Sequence, residues 1–311
     1  MIVCVAANPS IDKLFEVRRL RPGTIHRPVR MTSVAGGKGL NVARAARTLG
    51  ARVVAVPLLA GHAGRWVEDE LQREGVATAA AWAGAGETRS SLSVADEAAG
   101  DLTEFYEDGA NVTPSDWDAL EGAVRRSTEP GGWVTISGSL PPGAPADGYS
   151  RLVAVVRAAR ASVAVDTHGP ALADSMEASP DLVKVNEEEA AEALDRPIGT
   201  DAEAVEAAVA IAERSAGAAV AVTRGAAGCV LVAAGERLRG TVGATGPYPV
   251  GSGDAFLAGL VTGRDRAWGW AQALALALGA AAANAEERGA GRLRAERATE
   301  LSRRASIATI A

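Results

Sequence analysis

The sequence predicts an α/β fold in which a mostly parallel central sheet is covered by helices on both faces, a three-layer arrangement. Short apolar runs recur along the chain, and several are apolar at both alternating positions, as in strands buried on both faces. Helical patterns lie between these runs, which is typical of a parallel sheet. The predicted strands are IVCVAA, RVVAVPLLA, WVTISGSL, SVAVDT, DLVKV, AAVAVT and CVLVAA.

Capping residues mark the ends of the predicted helices. Glycine is frequent just after a helix, and Ser, Thr and Asp are frequent at its start. An Ala-rich apolar segment, residues 273–283, predicts one further buried helix. The predicted ends are Gly50, Gly75 and Gly217, and the predicted starts are Ser115, Thr200 and a position near Asp254.

Two segments depart from this alternation. Within residues 12–35, LFEV and IHRPVRMTSVA are predicted strands joined by a Pro22–Gly23 turn. Within residues 88–107, TRSSLSVADEAAGDLTEFY predicts a hairpin with its loop at residues 96–101. Together these strands predict a small sheet inserted into a single domain of residues 1–311. A flap at the carboxyl edge of the large sheet would act as a lid.

Bulk composition excludes several classes of protein. The chain has 311 residues, a net charge of −6 and no basic run, which argues against nucleic acid as a partner. Its longest apolar stretch is shorter than the roughly 20 residues that a membrane span needs, and no signal peptide is visible. Cys4 and Cys229 lie in apolar runs and are predicted to be buried thiols, which fits a reducing cytoplasm.

Two glycine-rich loops can carry chemistry: AGGKGLN (35–41) and GSGDAF (251–256). A P-loop requires Gly where Thr32 stands and a hydroxyl residue where Gly39 stands, so the first loop does not match. A dinucleotide fingerprint requires Gly at the position of Phe256, so the second loop does not match. Neither common nucleotide motif explains these loops.

The GSGDAF loop nevertheless predicts an anion site. Gly251 and Gly253 let the backbone approach a ligand closely, and a helix beginning near Asp254 would point free N–H groups at it. Asp254 has two interpretations at this stage. It is either an acidic residue that stabilises a helix N-terminus or a catalytic carboxylate.

The chain resembles the ribokinase-like (PfkB) carbohydrate kinases, and more narrowly the branch of 1-phosphofructokinase, tagatose-6-phosphate kinase and the minor 6-phosphofructokinase. Each motif is weak alone, but eight stand in the order of the family. They are NPSID (8–12), GGKGLNVAR (36–44), GETRSSL (86–92), SGSLPPG (137–143), DTHGPAL (166–172), KVNEEE (184–189), VTRGAAG (222–228) and VGSGDAFLAG (250–259).

The resemblance implies that Asp254 is the catalytic base, which takes the proton of the acceptor hydroxyl as it attacks the γ-phosphorus of ATP. Backbone N–H groups of Gly251, Ser252 and Gly253 would stabilise charge on the transferred group. It also implies that Asn186 and Glu189 hold Mg²⁺ mainly through water, although an acidic helix start is the alternative. The residues implied on the ATP side are Lys184, Asn186, Thr223, Gly225, Gly228 and Asn284.

On the acceptor side, the resemblance implies sugar contacts and a phosphate contact. Arg89 would grip the phosphate already on the sugar, a task that suits a guanidinium fork, with a plain surface arginine as the alternative. Lys38 would add a second positive charge. Asp12 is alternatively a turn residue after Pro9. The residues implied to contact the sugar are Asp12, Gly36, Gly37, Asn41 and Ser139.

Some positions depart from the family pattern. Tyr106 and Asp108 replace Asn and Pro in TEFYEDG, and His168 replaces a frequent Ser, so the acceptor preference can differ. The expected function is an ATP- and Mg²⁺-dependent 1-phosphofructokinase, with tagatose-6-phosphate kinase and 6-phosphofructokinase as near alternatives. A nucleoside or unphosphorylated-sugar kinase and a non-catalytic sugar-phosphate sensor are more distant alternatives. A homodimer formed through the lid is also expected.

Overall fold

The computed structural model describes residues 1–244 and 246–310. The strands are β1 (Ile2–Ala6), β2 (Ser10–Val17), β3 (Arg30–Gly36), β4 (Val53–Leu59), β5 (Ala77–Thr78), β6 (Ala81–Trp82), β7 (Arg89–Asp96), β8 (Asp101–Tyr106), β9 (Trp133–Ser137), β10 (Ser162–Asp166), β11 (Leu182–Asn186), β12 (Ala219–Thr223), β13 (Cys229–Ala233), β14 (Glu236–Thr241) and β15 (Ser306–Thr309).

Helices alternate with these strands as the sequence predicts. They are α1 (Lys38–Thr48), α2 (Gly61–Arg73), α3 (Pro114–Ser127), α4 (Gly148–Ala158), α5 (Gly169–Glu177), α6 (Glu187–Leu194), α7 (Asp201–Arg214), α8 (Ser252–Asp265), α9 (Trp270–Ala285) and α10 (Ala295–Arg304). A short 3₁₀ turn, Gly225–Ala227, lies between β12 and β13.

The large sheet is mostly parallel, as predicted. Its strand order is β15-β14-β13-β12-β11-β10-β9-β1-β4-β5, and β6 also pairs with β4. The pairs from β5 to β12 are parallel, whereas β12 to β15 form antiparallel pairs at one edge. All seven apolar runs predicted as strands belong to this sheet.

Helices cover both faces of the sheet and bury its alternating side chains. In β1, Ile2 and Cys4 belong to a core beneath α1, α2, α8, α9 and α10, whereas Val3 and Val5 belong to the opposite core beneath α3 and α4. Helices α5 to α7 extend that second layer. Burial on both faces explains why these strands are largely apolar at both alternating positions. Cys4 and Cys229 are both buried and free, as predicted.

The predicted boundaries were wrong at two places. The strand expected from Ile25 begins only at Arg30, because Pro28 has no N–H to donate to a ladder and the ring of His26 instead bonds the Arg21 backbone. Helix α3 begins at Pro114 rather than Ser115, because Thr113 and Asp116 form a capping box and Pro114 occupies the first helical position.

A second sheet has the strand order β3-β2-β7-β8 and is formed by the two segments that depart from the βα alternation. It stands next to the carboxyl edge of the large sheet, where β1, β9, β10, β11 and β12 all end. Such an edge is where open α/β sheets bind ligands. Among the described residues, no helix combines the length and the hydropathy required for a membrane span.

Candidate active site

The N-terminus of α8 is shaped by a tight turn. The Ser252 N–H donates to the Pro249 carbonyl at 3.0 Å, and Gly251 has φ 81° and ψ 0°, which are the angles of the third residue of a type II turn. A Cβ on Gly251 would also lie 2.6 Å from the Cα of Ala290. Glycine is therefore required here by both the backbone angle and the close packing.

This turn corrects one part of the predicted anion site. The Ser252 N–H is not free, because the turn consumes it. Within residues 1–244 and 246–310, the N–H groups of Gly253 and Asp254 have no acceptor, so these two groups are available to an anion at the positive end of α8. Asn284 is fully buried behind the loop and donates to the Val250 carbonyl at 2.9 Å. Its predicted place on the ATP side stays a prediction.

Asp254 is buried at the first turn of α8, and Asn41 donates to its Oδ2 at 2.9 Å. Burial raises the pKa of Asp254 to about 7, and the nearby Asp166 carboxylate adds to this rise. Lys38, the Asn41 hydrogen bond and Lys184 oppose the rise. A carboxylate with a pKa near neutrality is suited to accept a proton at physiological pH. A helix cap on an exposed surface would not show such a shift.

A buried ion-pair cluster lies beside Asp254. Asp166 has no exposed surface, and its two oxygens accept from Lys38 at 3.1 Å and from Lys184 at 3.0 Å. Burial alone would raise the pKa of Asp166, but the two ammonium groups hold it below its ordinary value. Burial alone would lower the pKa of Lys38, yet the carboxylates of Asp166, Glu189 and Asp254 raise it. Lys38 therefore remains charged beside Asp254.

The two lysines both lie close to Asp254 and the anion site. Lys184 is almost fully buried, and its ammonium lies 3.0 Å from where a Cβ on Gly253 would be, next to the anion site. Lys38 contacts Asp166 and Glu189, so its charged partners lie on the Asp254 side rather than on the Arg89 side. Its contact with a phosphate on the sugar stays a prediction.

Asn186 and Glu189 form a reciprocal capping box at the start of α6. Asn186 Oδ1 accepts from the Glu189 N–H at 2.7 Å, and Glu189 Oε2 accepts from the Asn186 N–H at 2.9 Å. Glu189 Oε1 accepts from Lys38 at 2.9 Å. Each carboxylate oxygen already has one donor, so contact with a metal through water fits this pair better than direct coordination. No cluster of three or more His, Cys, Asp or Glu side chains suited to a metal occurs in the described part of the chain.

The loop after β12 carries the other predicted ATP residues. Thr223 is half-buried and donates to the Val185 carbonyl at 3.3 Å, whereas Gly225 stands in open space. Gly228 has φ 98° and packs against the backbone of Gly240 in β14, so this residue has a structural role in the packing of the loop against the sheet. Arg224 fixes the loop by pairing with Glu187 and Asp201 on α6 and α7.

The acceptor-side residues lie between the two sheets. Asp12 on β2 accepts from Ser10 Oγ at 2.5 Å and from the Gly37 N–H at 3.4 Å, and a Cβ on Gly36 would overlap its carboxyl group. Asn8, two residues after β1, donates to Ser139 Oγ at 3.2 Å and to the Asp108 carbonyl at 3.3 Å. This cleft carries several hydrogen-bonding groups of the kind that recognise sugar hydroxyls.

Arg89 begins β7 and is half-buried at the margin of the same cleft. Its guanidinium makes long bonds to the Asn8 carbonyl (3.4 Å), the Glu107 carbonyl (3.3 Å) and Ser91 Oγ (3.4 Å), and it forms no salt bridge with a carboxylate of the described residues. Within the cleft, Arg89 is therefore a cation whose charge is not neutralised, which suits a phosphate group.

Two of the residues that depart from the family pattern, Tyr106 and Asp108, lie near this margin. Tyr106 donates to Glu104 at 2.7 Å, and burial together with Glu104 raises its pKa to about 12, so it stays a neutral donor. Asp108 contributes its carbonyl to Asn8. His168 is exposed at the start of α5 and makes no cap there.

Sequence reasoning missed three residues of the site: Asn8, Asp166 and Arg44. The signal for Asp166 was present, because it is a carboxylate at the end of an otherwise apolar strand, SVAVD. Its partner was not evident, because Lys184 is equally isolated in LVKVN. Ala164 pairs with Leu182, and this register brings Asp166 and Lys184 side by side.

Together these groups can transfer an anionic group to a hydroxyl. Asp254 can accept the proton of a hydroxyl, since its Oδ2 is held by Asn41 and its pKa is near neutral. Two ammonium groups and two free N–H groups stand beside it to stabilise negative charge. The cleft next to it presents polar groups and one cation.

Comparison with known proteins agrees with this chemistry. The model of the pfkB family carbohydrate kinases matches residues 2–296. Phosphofructokinase-2 from Escherichia coli, solved with potassium, superposes with a TM-score of 0.91 at 24% identity over 97% of this chain and 98% of that chain. It has also been solved with fructose-6-phosphate and in a tetrameric inhibited form.

Two further structures share the fold. A possible 1-phosphofructokinase from Thermotoga maritima superposes with a TM-score of 0.87 at 21% identity, and the match covers 100% of both chains. Ribokinase from Arabidopsis thaliana, solved with ribose and ATP, gives a TM-score of 0.78 at 20% identity over 97% of this chain and 98% of that chain. The ribokinase-like α/β fold predicted from the sequence is thus confirmed.

Asp254→Asn should stabilise the fold at alkaline pH. A carboxyl whose folded pKa is raised from 3.8 to about 7 contributes stability that is full below pH 3.8 and is lost as pH rises through 7. Asparagine lacks this penalty, so we expect the free energy of unfolding to increase by about 2–4 kcal/mol at pH 8 and by less at pH 5.5. Urea unfolding at both pH values measures this.

Asp101→Asn, at an exposed carboxylate on β8, is the matched control and should change little. The raised pKa would be contradicted if the difference in unfolding free energy between Asp254→Asn and the wild type did not depend on pH. It would also be contradicted if Asp254→Asn were less stable than the wild type at pH 8.

Proposed function

We propose, on the premise that the chain belongs to the pfkB family of carbohydrate kinases, that it phosphorylates a ketohexose that already carries one phosphate. The first candidate is fructose 1-phosphate, with ATP as phosphoryl donor and fructose 1,6-bisphosphate as product. The observation that carries the proposal is the buried Asp254, which lies between the free N–H groups of α8 and the polar cleft next to the small sheet.

The preference for a phosphorylated acceptor rests on Arg89. Its guanidinium lies on the cleft side of β7 with only long bonds to carbonyl and hydroxyl oxygens, so a phosphate would be its strongest available partner. An unphosphorylated sugar would leave that charge without a counter-ion. Arg89 would therefore favour phosphorylated over unphosphorylated acceptors.

A second candidate acceptor is fructose 6-phosphate. It is favoured by the superposition with the E. coli phosphofructokinase-2, which has been solved with that sugar phosphate. Tagatose 6-phosphate is the third candidate, because it shares the phosphate that Arg89 would bind. These acceptors differ in the position of the phosphate or in the stereochemistry at a single carbon. Arg89 would sense the position of the phosphate, and Asp12, Asn41 and Ser139 would sense the positions of the hydroxyls.

In the proposed reaction, Asp254 takes the proton of the acceptor hydroxyl. The hydroxyl oxygen forms a bond to the γ-phosphorus of ATP, the bond from that phosphorus to the bridging oxygen breaks, and ADP leaves. Negative charge that builds up on the transferred group is stabilised by the N–H groups of Gly253 and Asp254 and by the ammonium groups of Lys184 and Lys38. Positioning and electrostatics carry most of the catalysis.

The proposal assigns Mg²⁺ to Asn186 and Glu189. Their donors are an amide and a carboxylate, and Mg²⁺ prefers such oxygen ligands while retaining several waters. When bound, the ion would neutralise charge on the ATP phosphates. Asn186 and Glu189 would orient its waters, and Lys38 would keep Glu189 in place through their ion pair. The loop with Thr223 and Gly225 is assigned to the nucleotide.

Substrate identity is tested by measuring ADP release with five acceptors in parallel: fructose 1-phosphate, fructose 6-phosphate, tagatose 6-phosphate, ribose and fructose. We expect turnover with the phosphorylated ketohexoses and fastest turnover with fructose 1-phosphate. Asp254→Asn should reduce kcat about 10²- to 10⁴-fold, as expected for loss of a general base. A wild type that is inactive with all five would favour the sensor alternative, and an active Asp254→Asn would remove the base assignment.

Arg89→Met should raise the KM for the sugar phosphate about 10- to 100-fold, because hydrogen bonds to charged groups contribute about 1.5–3 kcal/mol. The KM for ATP should stay unchanged. Arg89→Lys keeps the charge without the fork and should lie between the two. Steady-state kinetics with Arg27→Met, an exposed arginine in the segment before β3, provides the control. An unchanged KM in Arg89→Met would refute the phosphate contact.

We further propose that a second copy of the chain packs on the outer face of the small sheet. The register places Phe15, Met31, Leu92 and Phe105 on one face, opposite to the face of Asp12. Phe105 is 59% exposed and Met31 is 64% exposed, which is unusual for large apolar residues in one patch. A homodimer would cover them. A reducing cytoplasmic setting completes the proposal and suits two free thiols.

Phe105→Glu should shift the protein from dimer to monomer, because a charge would be buried in an apolar interface. Leu102→Glu is the matched control, since Leu102 lies on the same strand but on the opposite face. Sedimentation velocity across micromolar concentrations measures the mass. A monomeric wild type, or a dimer that survives Phe105→Glu, would exclude this interface.

A further inference from the structure

One buried arginine connects the separate parts of the candidate site. Arg44 lies on α1, one turn after Asn41, and its side chain is only 7% exposed. Its Nη1 donates to Asn41 Oδ1 at 3.1 Å and to the Ala290 carbonyl at 3.2 Å, and its Nη2 donates to the Ala35 carbonyl at 2.5 Å. Its Nε donates to Glu74 at 2.9 Å, which balances the buried charge.

These contacts determine which way the Asn41 amide faces. An asparagine side chain has one acceptor oxygen and one donor nitrogen. Arg44 can only donate, so it holds Oδ1 and leaves Nδ2 to donate to Asp254 Oδ2 at 2.9 Å. The reversed amide would place an oxygen against the carboxylate and an NH₂ group against the guanidinium. Both of those contacts would be repulsive.

The same guanidinium also fixes the two glycine-rich loops. Ala35 directly precedes Gly36 and Gly37, which lie beside Asp12. Ala290 packs against Gly251, whose turn presents the free N–H groups of α8. Movement of Arg44 would therefore release the acceptor-side loop and the anion site together.

We infer that Arg44 is a positioning residue that acts on Asp254 through Asn41 and so sets the pH at which the base is available. This inference rests on the proposed function of Asp254. The Asn41 hydrogen bond favours the charged form of the carboxylate and lowers its pKa. Without Arg44 the amide is free to rotate, and the pKa of Asp254 rises.

The test is the pH dependence of kcat/KM, whose acidic limb reports the base of the free enzyme. We expect the wild-type limb near pH 7. Arg44→Gln should move the limb upward by about one pH unit, and its activity at high pH should rise to a plateau that is lower than the wild type's, because both loops also lose a contact. The control is Arg47→Gln, three residues further on α1, where the side chain is exposed. It should leave the limb unchanged.

A merely structural role would lower activity at every pH without moving the limb, and that result overturns the inference. If Arg44→Gln does not fold, Arg44→Lys replaces it; this variant keeps the charge but loses the fork and should give a smaller shift in the same direction. An unshifted limb in a folded Arg44→Lys would also overturn the inference.

A double-mutant cycle with Asn41→Ala separates two routes of action. If Arg44 acts through Asn41, the double variant should show the shift of Asn41→Ala alone. If the two shifts add, Arg44 acts through its own charge and the relay is refuted. Asp254→Asn separates this failure from failure of the proposed function: an active Asp254→Asn removes the base itself, whereas an inactive one with additive shifts removes only the relay.

Discussion

The active-site region depends on the pairing of one buried carboxylate, Asp166, with two lysines at the carboxyl edge of the parallel strands. Asp166 is completely buried and holds Lys38 and Lys184, and the two lysines in turn oppose the raised pKa of Asp254. Removing Asp166 would leave two ammonium groups without their shared counter-ion, which is far more costly in a buried site than at the surface. The cluster therefore fixes α1, β10, β11 and α8 relative to one another.

This charge arrangement follows from the strand pleat. In β10 and β11, Ala164 and Leu182 face the core beneath α8, so Asp166 and Lys184, two residues further on, face it too. The pleat thus delivers a carboxylate and an ammonium group to the position where the positive end of α8 begins. An anion that binds there meets a helix N-terminus and two lysines at once. The function proposed for the site follows from this convergence.

Much of the fold could be predicted because its signals are local. Apolar strands, glycine caps and the glycine pair around Ser252 each act within a few residues, and the large sheet agrees with them. The site was predictable only in part. The Ser252 N–H donates within a turn, and the motif does not predict the backbone angles of that turn. Lys38 and Asp166 are 128 residues apart in the sequence, so their contact depends on the whole fold. The sequence does not predict the role of Arg44, because its contacts come from four different segments.

The small sheet presents a site residue on one face and the proposed dimer interface on the other. Asp12 faces the site, whereas Phe15, three residues later, belongs to the proposed interface on the other face. A slip of one residue in the pairing of β2 would exchange the faces and place Asp12 outside. The acceptor cleft and the proposed interface therefore require the same strand register. With this register Asp12 faces the cleft and the apolar side chains face the partner that would cover them. Dimerisation through this sheet would hold Asp12 on the cleft face, although the interface residues themselves would not contact the substrate.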